Sequence, residues 1–146
     1  MVADETHAVR LSSEPEASPA DVARIGDAID AWNMNVTGDH DYRQVAIFLR
    51  DPDGSIRGGV TGGVWGGWFH VVSLWVDPGL RGRGLGRRLL LAAEDEARGH
   101  GAHDAFLETH SFQAPGLYRR LGYEAIAELE DYPRGESQLV MRKSLR

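Results

Sequence analysis

Arg81-Gly82-Arg83-Gly84-Leu85-Gly86 stands between an apolar run, 71–76, and a leucine-rich stretch that opens on Arg87-Arg88. A strand, a glycine- and arginine-rich turn and a helix make an anion cradle. The first N–H groups of a helix lack intrahelical partners and carry the positive end of its dipole, and glycine lets them approach a phosphate closely. The expected ligand is therefore phosphorylated, and spacing sorts the candidates. A dinucleotide fingerprint read from Gly82 needs a third glycine where the chain has Arg87. A Walker loop read from Gly79 needs Lys and then Ser or Thr where it has Leu85 and Gly86. Both readings fail.

The spacing that fits is R-x-x-G-x-G, Arg81 through Gly86, preceded by Leu74-Trp75-Val76-Asp77-Pro78. It resembles the acyl-CoA pyrophosphate signature of the GNAT superfamily of N-acyltransferases. Ala114-Pro115-Gly116-Leu117-Tyr118-Arg119-Arg120-Leu121-Gly122-Tyr123 is similar to the A-x-x-L-Y-x-x-L-G-[FY] helix that follows strand five in that superfamily. With both matches in order, the chain resembles the small single-domain bacterial members over nearly its whole length, residues 1–40 matching in pattern only.

The resemblance implies an α/β (α+β) GNAT fold with a mixed central sheet of about seven strands, helices on both faces and a splay between strands four and five. It implies acetyl-CoA as co-substrate, an amine as acceptor, no metal, and direct transfer with both substrates bound together. Leu74, Trp75 and Val76 would offer backbone groups to the pantetheine and the thioester oxygen. Arg81, Gly82, Arg83, Gly84, Leu85, Gly86 and Arg87 would hold the pyrophosphate, and Tyr118 would protonate the departing thiolate. Glu108 stands where some members place a carboxylate that accepts the amine proton. One position departs from the pattern: the asparagine often found seven residues before the tyrosine is Ser111 here, with Gln113 available to replace its contact. Trp32, Asn33, Asn35, Tyr132, Arg134 and Glu136 fall where family acceptor sites are bordered, and read equally as surface residues.

These residues also have plainer readings. Outside its motif Tyr118 reads as a packed tyrosine, and Glu108 reads equally as a strand-end carboxylate in a salt bridge. His110 shares the Glu108 face of an extended strand and is a rival or partner base. His70, inside an apolar strand, reads as a satisfied core histidine. His100-x-x-His103 follows a helix end and lacks a third ligand, so it is rejected as a metal site.

The elements that must position these groups can be read in order. Residues 7–12 form a first strand. Ser18 caps a helix that starts at Pro19 and loses its regularity at 32–38, in a loop or short second helix. Strand two is 42–50, Asp51-Pro52-Asp53-Gly54 is a turn, and strand three follows from about Ser55. Gly58-Gly59, Gly62-Gly63 and Gly66-Gly67 recur through strand three, the last pair as a hairpin turn. Strand four, 68–76, is apolar on both faces, as in a sheet covered on both sides. A helix over 84–98 leads to strand five, 105–108, parallel to the fourth. A short helix begins near Pro115 and stops at Gly122, and strands 123–129 and 137–145 complete the chain.

At 146 residues the chain is one domain, 1–146, large enough for a core without staples. The absence of cysteine excludes disulfides, zinc thiolates and an acyl-cysteine intermediate. A net charge of -6 argues against nucleic acid as partner, although arginines gather at the cradle. Without a signal-like start or an apolar span, the expected location is the cytoplasm, away from membranes. Homodimerisation is left open. So are two other classes, a noncatalytic acyl-CoA sensor and a phosphate-binding module without preference for CoA.

Overall fold

The computed structural model describes residues 9–146, and the chain divides into two compact units after Gly38. The first holds helix α1, Pro19–Thr37, whose cap is the one its sequence promises. The Ser18 hydroxyl accepts the Asp21 N–H at 3.1 Å, and Pro19 occupies the first turn. Instead of breaking at Trp32 the helix runs on to Thr37, because neither glycine nor proline occurs between Gly26 and Gly38. There a left-handed backbone (φ 70) lets the Gly38 N–H close on the Met34 carbonyl. The expected strand at 7–12 lies partly outside the described residues, and 9–12 form no ladder, so among the described residues the sheet has six strands rather than about seven.

The second unit is that sheet with two helices. Strands β1 (Arg43–Arg50), β2 (Ile56–Trp65) and β3 (Trp68–Val76) form an antiparallel meander. Helix α2 (Leu85–Gly99) returns the chain to β4 (Asp104–His110), parallel to β3. Short helix α3 (Pro115–Arg120) precedes β5 (Glu124–Glu130) and β6 (Ser137–Ser144). The spatial order is β1-β2-β3-β4-β6-β5. Gly66 and Gly67, both at positive φ, make the tight turn between β2 and β3. Among the described residues no helix is long and apolar enough to cross a membrane.

The sheet's register decides what reaches the site. Thr61 pairs with Ser73 while its neighbour Gly62 pairs with Val71, so Val72 is an extra residue on β3, a bulge. Gly62 is obligatory beside it, since a Cβ there would come within 2.1 Å of the His70 carbonyl oxygen. Side chains alternate along a strand, so one inserted residue reverses the phase. Phe69 and Val71 enter the core before the bulge, and Leu74 and Val76 pack against it afterwards. Val72 and Trp75 are exposed on the outer face, which is not the covered face the sequence suggested. On β4, Ala105, Leu107 and Thr109 are buried, under α2 residues Leu89, Leu90, Ala93 and Ala97 that fill the same core.

Candidate active site

The loop after β3 is braced before it meets anything. The Asp77 carboxylate accepts the Gly79 N–H at 2.8 Å and Arg57 Nε at 3.1 Å, while Arg57 Nη1 reaches Asp51 at 2.8 Å. Hydrogen bonding from Arg57, and then from the Gly79 N–H, holds the Asp77 carboxyl below its usual range. Arg81 Nε donates to the Val76 carbonyl at 2.9 Å, folding that guanidinium over the end of β3. Gly84 sits at the N-cap of α2 with φ 72 and offers no side chain to cap it. The first helical bond runs from the Arg88 N–H to the Gly84 carbonyl, so the N–H groups of Leu85, Gly86 and Arg87 stand ahead of it.

Beside this loop the sheet opens. Strands β3 and β4 pair from Trp68↔Asp104 to Val71↔Leu107 and no further. Beyond that point β3 follows β2 through its bulge, while β4 stays with β6 as far as His110↔Gln138. The wedge between them is a cleft of about 860 Å³, reaching from the β3 residues 71–76 across the α2 N-terminus to β4 and α3. This is the expected splay.

Tyr118 closes one side of the cleft. It is half-buried, its ring meets the Tyr123 ring edge-on at 6.0 Å, and burial pushes its hydroxyl pKa up, so the group keeps its proton. Tyr123 is tied in turn to fully buried Glu94 at 3.0 Å, a carboxylate that also receives Lys143 at 2.6 Å. Desolvation, then the Glu94 charge, drives the Tyr123 pKa up as well. The base on which Tyr118 rests is therefore a satisfied polar cluster rather than a loose apolar contact.

A model of the acetyltransferase (GNAT) family matches residues 8–123. The chain belongs to that family. It is 46% identical over 101 residues to the blasticidin-S acetyltransferase of Streptomyces morookaense, covering 68% of this chain and 74% of that one. It is 35% identical over 119 residues to an Agrobacterium fabrum acetyltransferase, covering 82% and 87%. The crystal structure of a putative acetyltransferase from Agrobacterium tumefaciens superposes with a TM-score of 0.87 at 31% identity, covering 93% of this chain and 99% of that one.

Within the GNAT frame, most of the residues chosen from sequence meet in the cleft. Leu74, Trp75 and Val76 line it from β3, Arg81, Gly82, Gly84, Leu85, Gly86 and Arg87 from the loop and α2, and Glu108, Gln113 and Tyr118 from the opposite side. Arg83, His110 and Ser111 are not among the lining residues. Arg83 Nη2 turns back to the Gly79 carbonyl at 3.4 Å. The His110 Nδ1 lies 3.2 Å from the Tyr132 carbonyl, with the ring stacked on Phe112. Ser111 is latched to the β5–β6 connection: its hydroxyl donates to Glu136 and accepts the Ser137 N–H at 3.0 Å. Gln113 takes the strand-end position instead, its Oε1 accepting the His110 N–H at 2.8 Å and the Thr109 hydroxyl at 3.2 Å.

Two features were missed. Arg120 lines the cleft from an unspecified position of the second motif, two residues after Tyr118. His70 is no core histidine: its side chain is 41% exposed and its Nε2 lies 3.0 Å from Glu108 Oε2. Of the residues set at the acceptor border, Tyr132 and Glu136 lie beside His110 and Ser111, while Trp32, Asn33 and Asn35 belong to α1 in the other unit.

Proposed function

We propose that this protein transfers an acetyl group from acetyl-CoA to a primary amine by direct attack within one ternary complex. The observation that carries this reading is the end of β3–β4 pairing at Val71↔Leu107, which gives one cleft both free strand edges and an uncapped helix start. The lining fits the donor substrate. The N–H groups at the start of α2, with Arg81, Arg87 and Arg120 around them, suit a pyrophosphate. At Gly86 a Cβ would meet only side-chain carbons at ordinary contact, Leu117 Cδ2 at 3.5 Å and Val76 Cγ2 at 4.0 Å, so the protein's own packing leaves that approach open. The edge of β3 beyond the bulge supplies preorganised N–H donors for a thioester oxygen as negative charge develops there. Tyr118, held protonated, is placed to give its proton to the departing sulfur. Glu108 marks the side of the cleft from which the amine's proton leaves.

Release of free CoA thiol tests this, with acetyl-CoA and a panel of primary amines. Blasticidin S belongs at the head of the panel, because a relative 46% identical to this chain carries it in its name. Acetylated product with stoichiometric thiol is expected. Acetyl-CoA at about 100 times its Kd should add roughly 2.7 kcal/mol of apparent stability. Equal stabilisation by ATP would point to a phosphate-binding module, and stabilisation by acetyl-CoA without product would point to a sensor.

A further inference from the structure

His70 is one of the β3 residues just ahead of the bulge, on the strip where β3 and β4 are about to part. Its cross-strand neighbours are Gly63 on β2 and Phe106 on β4. The imidazole stacks on the Phe106 ring at 4.3 Å and 7°, which fixes its plane. Glu108 follows Phe106 by two residues and so shares its face, and its Oε2 lies 3.0 Å from His70 Nε2. The two side chains are 41% and 40% exposed, open to an incoming molecule yet held by the stack and the hydrogen bond. Glu108 also lines the cleft.

A carboxylate can only accept, so Nε2 carries the hydrogen and Nδ1 carries the lone pair. That nitrogen has no hydrogen-bond partner among the described residues. The other groups facing His70 do not compete for it. From β2 there is Gly63, with the Tyr42 phenol over it. From β6 there is Arg142, opposite Phe106, engaged by Asp104 at 2.8 Å and lying over the Trp68 ring. His110, the base candidate suggested by sequence, is held by the Tyr132 carbonyl further along β4.

We propose that His70 is the base that takes the proton from the acceptor's ammonium group, with Glu108 as its positioning residue, an assignment that rests on the acetyl-transfer reading above. The steps balance. His70 Nδ1 accepts one proton from R–NH₃⁺, and the imidazolium is stabilised by the Glu108 carboxylate. The freed amine attacks the thioester carbonyl, the C–N bond forms and the C–S bond breaks. Sulfur leaves with a proton from Tyr118, which regains one from the acylated nitrogen. One proton stays on the amide and the one on His70 passes to solvent. The Glu108 bond fixes the tautomer and the ring, the role a carboxylate plays beside any histidine base.

The test compares His70→Gln and Glu108→Gln with the parent, using the fastest acceptor in a panel of spermidine, amino-acid amides and aminonucleosides. Acetyl-CoA affinity by calorimetry serves as the check on folding. His70→Gln should lose about 10²–10⁴-fold in kcat/KM at pH 7 with acetyl-CoA affinity kept. That deficit should narrow about tenfold per pH unit as the amine supplies its own free base, until it reaches the amine's own pKa. Glu108→Gln, which keeps an acceptor for Nε2–H but removes the charge, should show a smaller deficit with the same trend. A His70→Gln deficit that is absent, or constant with pH, overturns the assignment while leaving acetyl transfer intact. A parent protein that acetylates no amine overturns both.

Discussion

The same two strands, β3 and β4, behave as two different materials along their length. Over Trp68–Val71 and Asp104–Leu107 they are laddered together, with Phe69 and Ala105 wholly buried. The Asp104 carboxylate there is saturated by His103 at 2.6 Å and Arg142 at 2.8 Å. Past that point they diverge, Val72 and Trp75 are exposed, and the facing edges of β3 and β4 no longer pair with each other. The closed half shows what folding does with strand edges, which is to satisfy them. The open half shows what a binding site needs, which is edges left free by a neighbour that has turned elsewhere. The bulge at Val72 is the device that turns it.

If the division is real, damage to each half should have a different signature. The largest effect is expected in the open half. Tyr118→Phe keeps the ring against Tyr123 and deletes the proton donor, so single-turnover acetyl transfer should slow by about 10²–10⁴-fold at unchanged acetyl-CoA affinity. An unaltered single-turnover rate would make Tyr118 a packing residue. Next is the closed half. Phe69→Ala should cost about 3–5 kcal/mol in urea denaturation while the rate per folded molecule stays close to the parent's. A variant that keeps its stability but loses turnover would erase the distinction.

The smallest effect sharpens the comparison through pH. The hydrogen bond from His103, and then the one from Arg142, hold the Asp104 carboxyl below its usual range. A lowered folded pKa contributes stability that is present above the unfolded value, about pH 4, and is lost as pH falls through the folded one. Thermal melts should therefore show the parent losing Tm more steeply below about pH 4 than Asp104→Asn. Parallel curves would mean that the pair contributes nothing to folding.

The glycine-rich loop and the cleft were legible because local chemistry imposes them. Positive φ at Gly82 and Gly84, an uncapped helix start and a proline-led α3 are all written within a few residues of where they act. What escaped was set by contacts distant in sequence. Ser111 and His110 lie at plausible positions but are held by Glu136, Ser137 and Tyr132, more than 20 residues downstream. His70 was misread for a different reason. Apolar residues on both faces of 68–76 suggest a strand covered on both sides, whereas the face that carries His70, Val72 and Trp75 stays open. The strand expected at 7–12 shows the same limit over its described part, 9–12, since an extended segment becomes a strand only where a partner presents its edge.

The bulge also sets what kind of change this gene segment can absorb. Exchanging Val72 for another β-branched residue alters one exposed side chain. Deleting it would restore plain alternation with Leu74 and Val76 still facing the core, so the fold would survive, but β3 would lose the residue that turns it aside and could pair straight on past Val71, closing the cleft. Across 68–76 the count of residues is therefore under tighter constraint than their identity. Variation in this stretch should accumulate as substitutions and almost never as insertions or deletions.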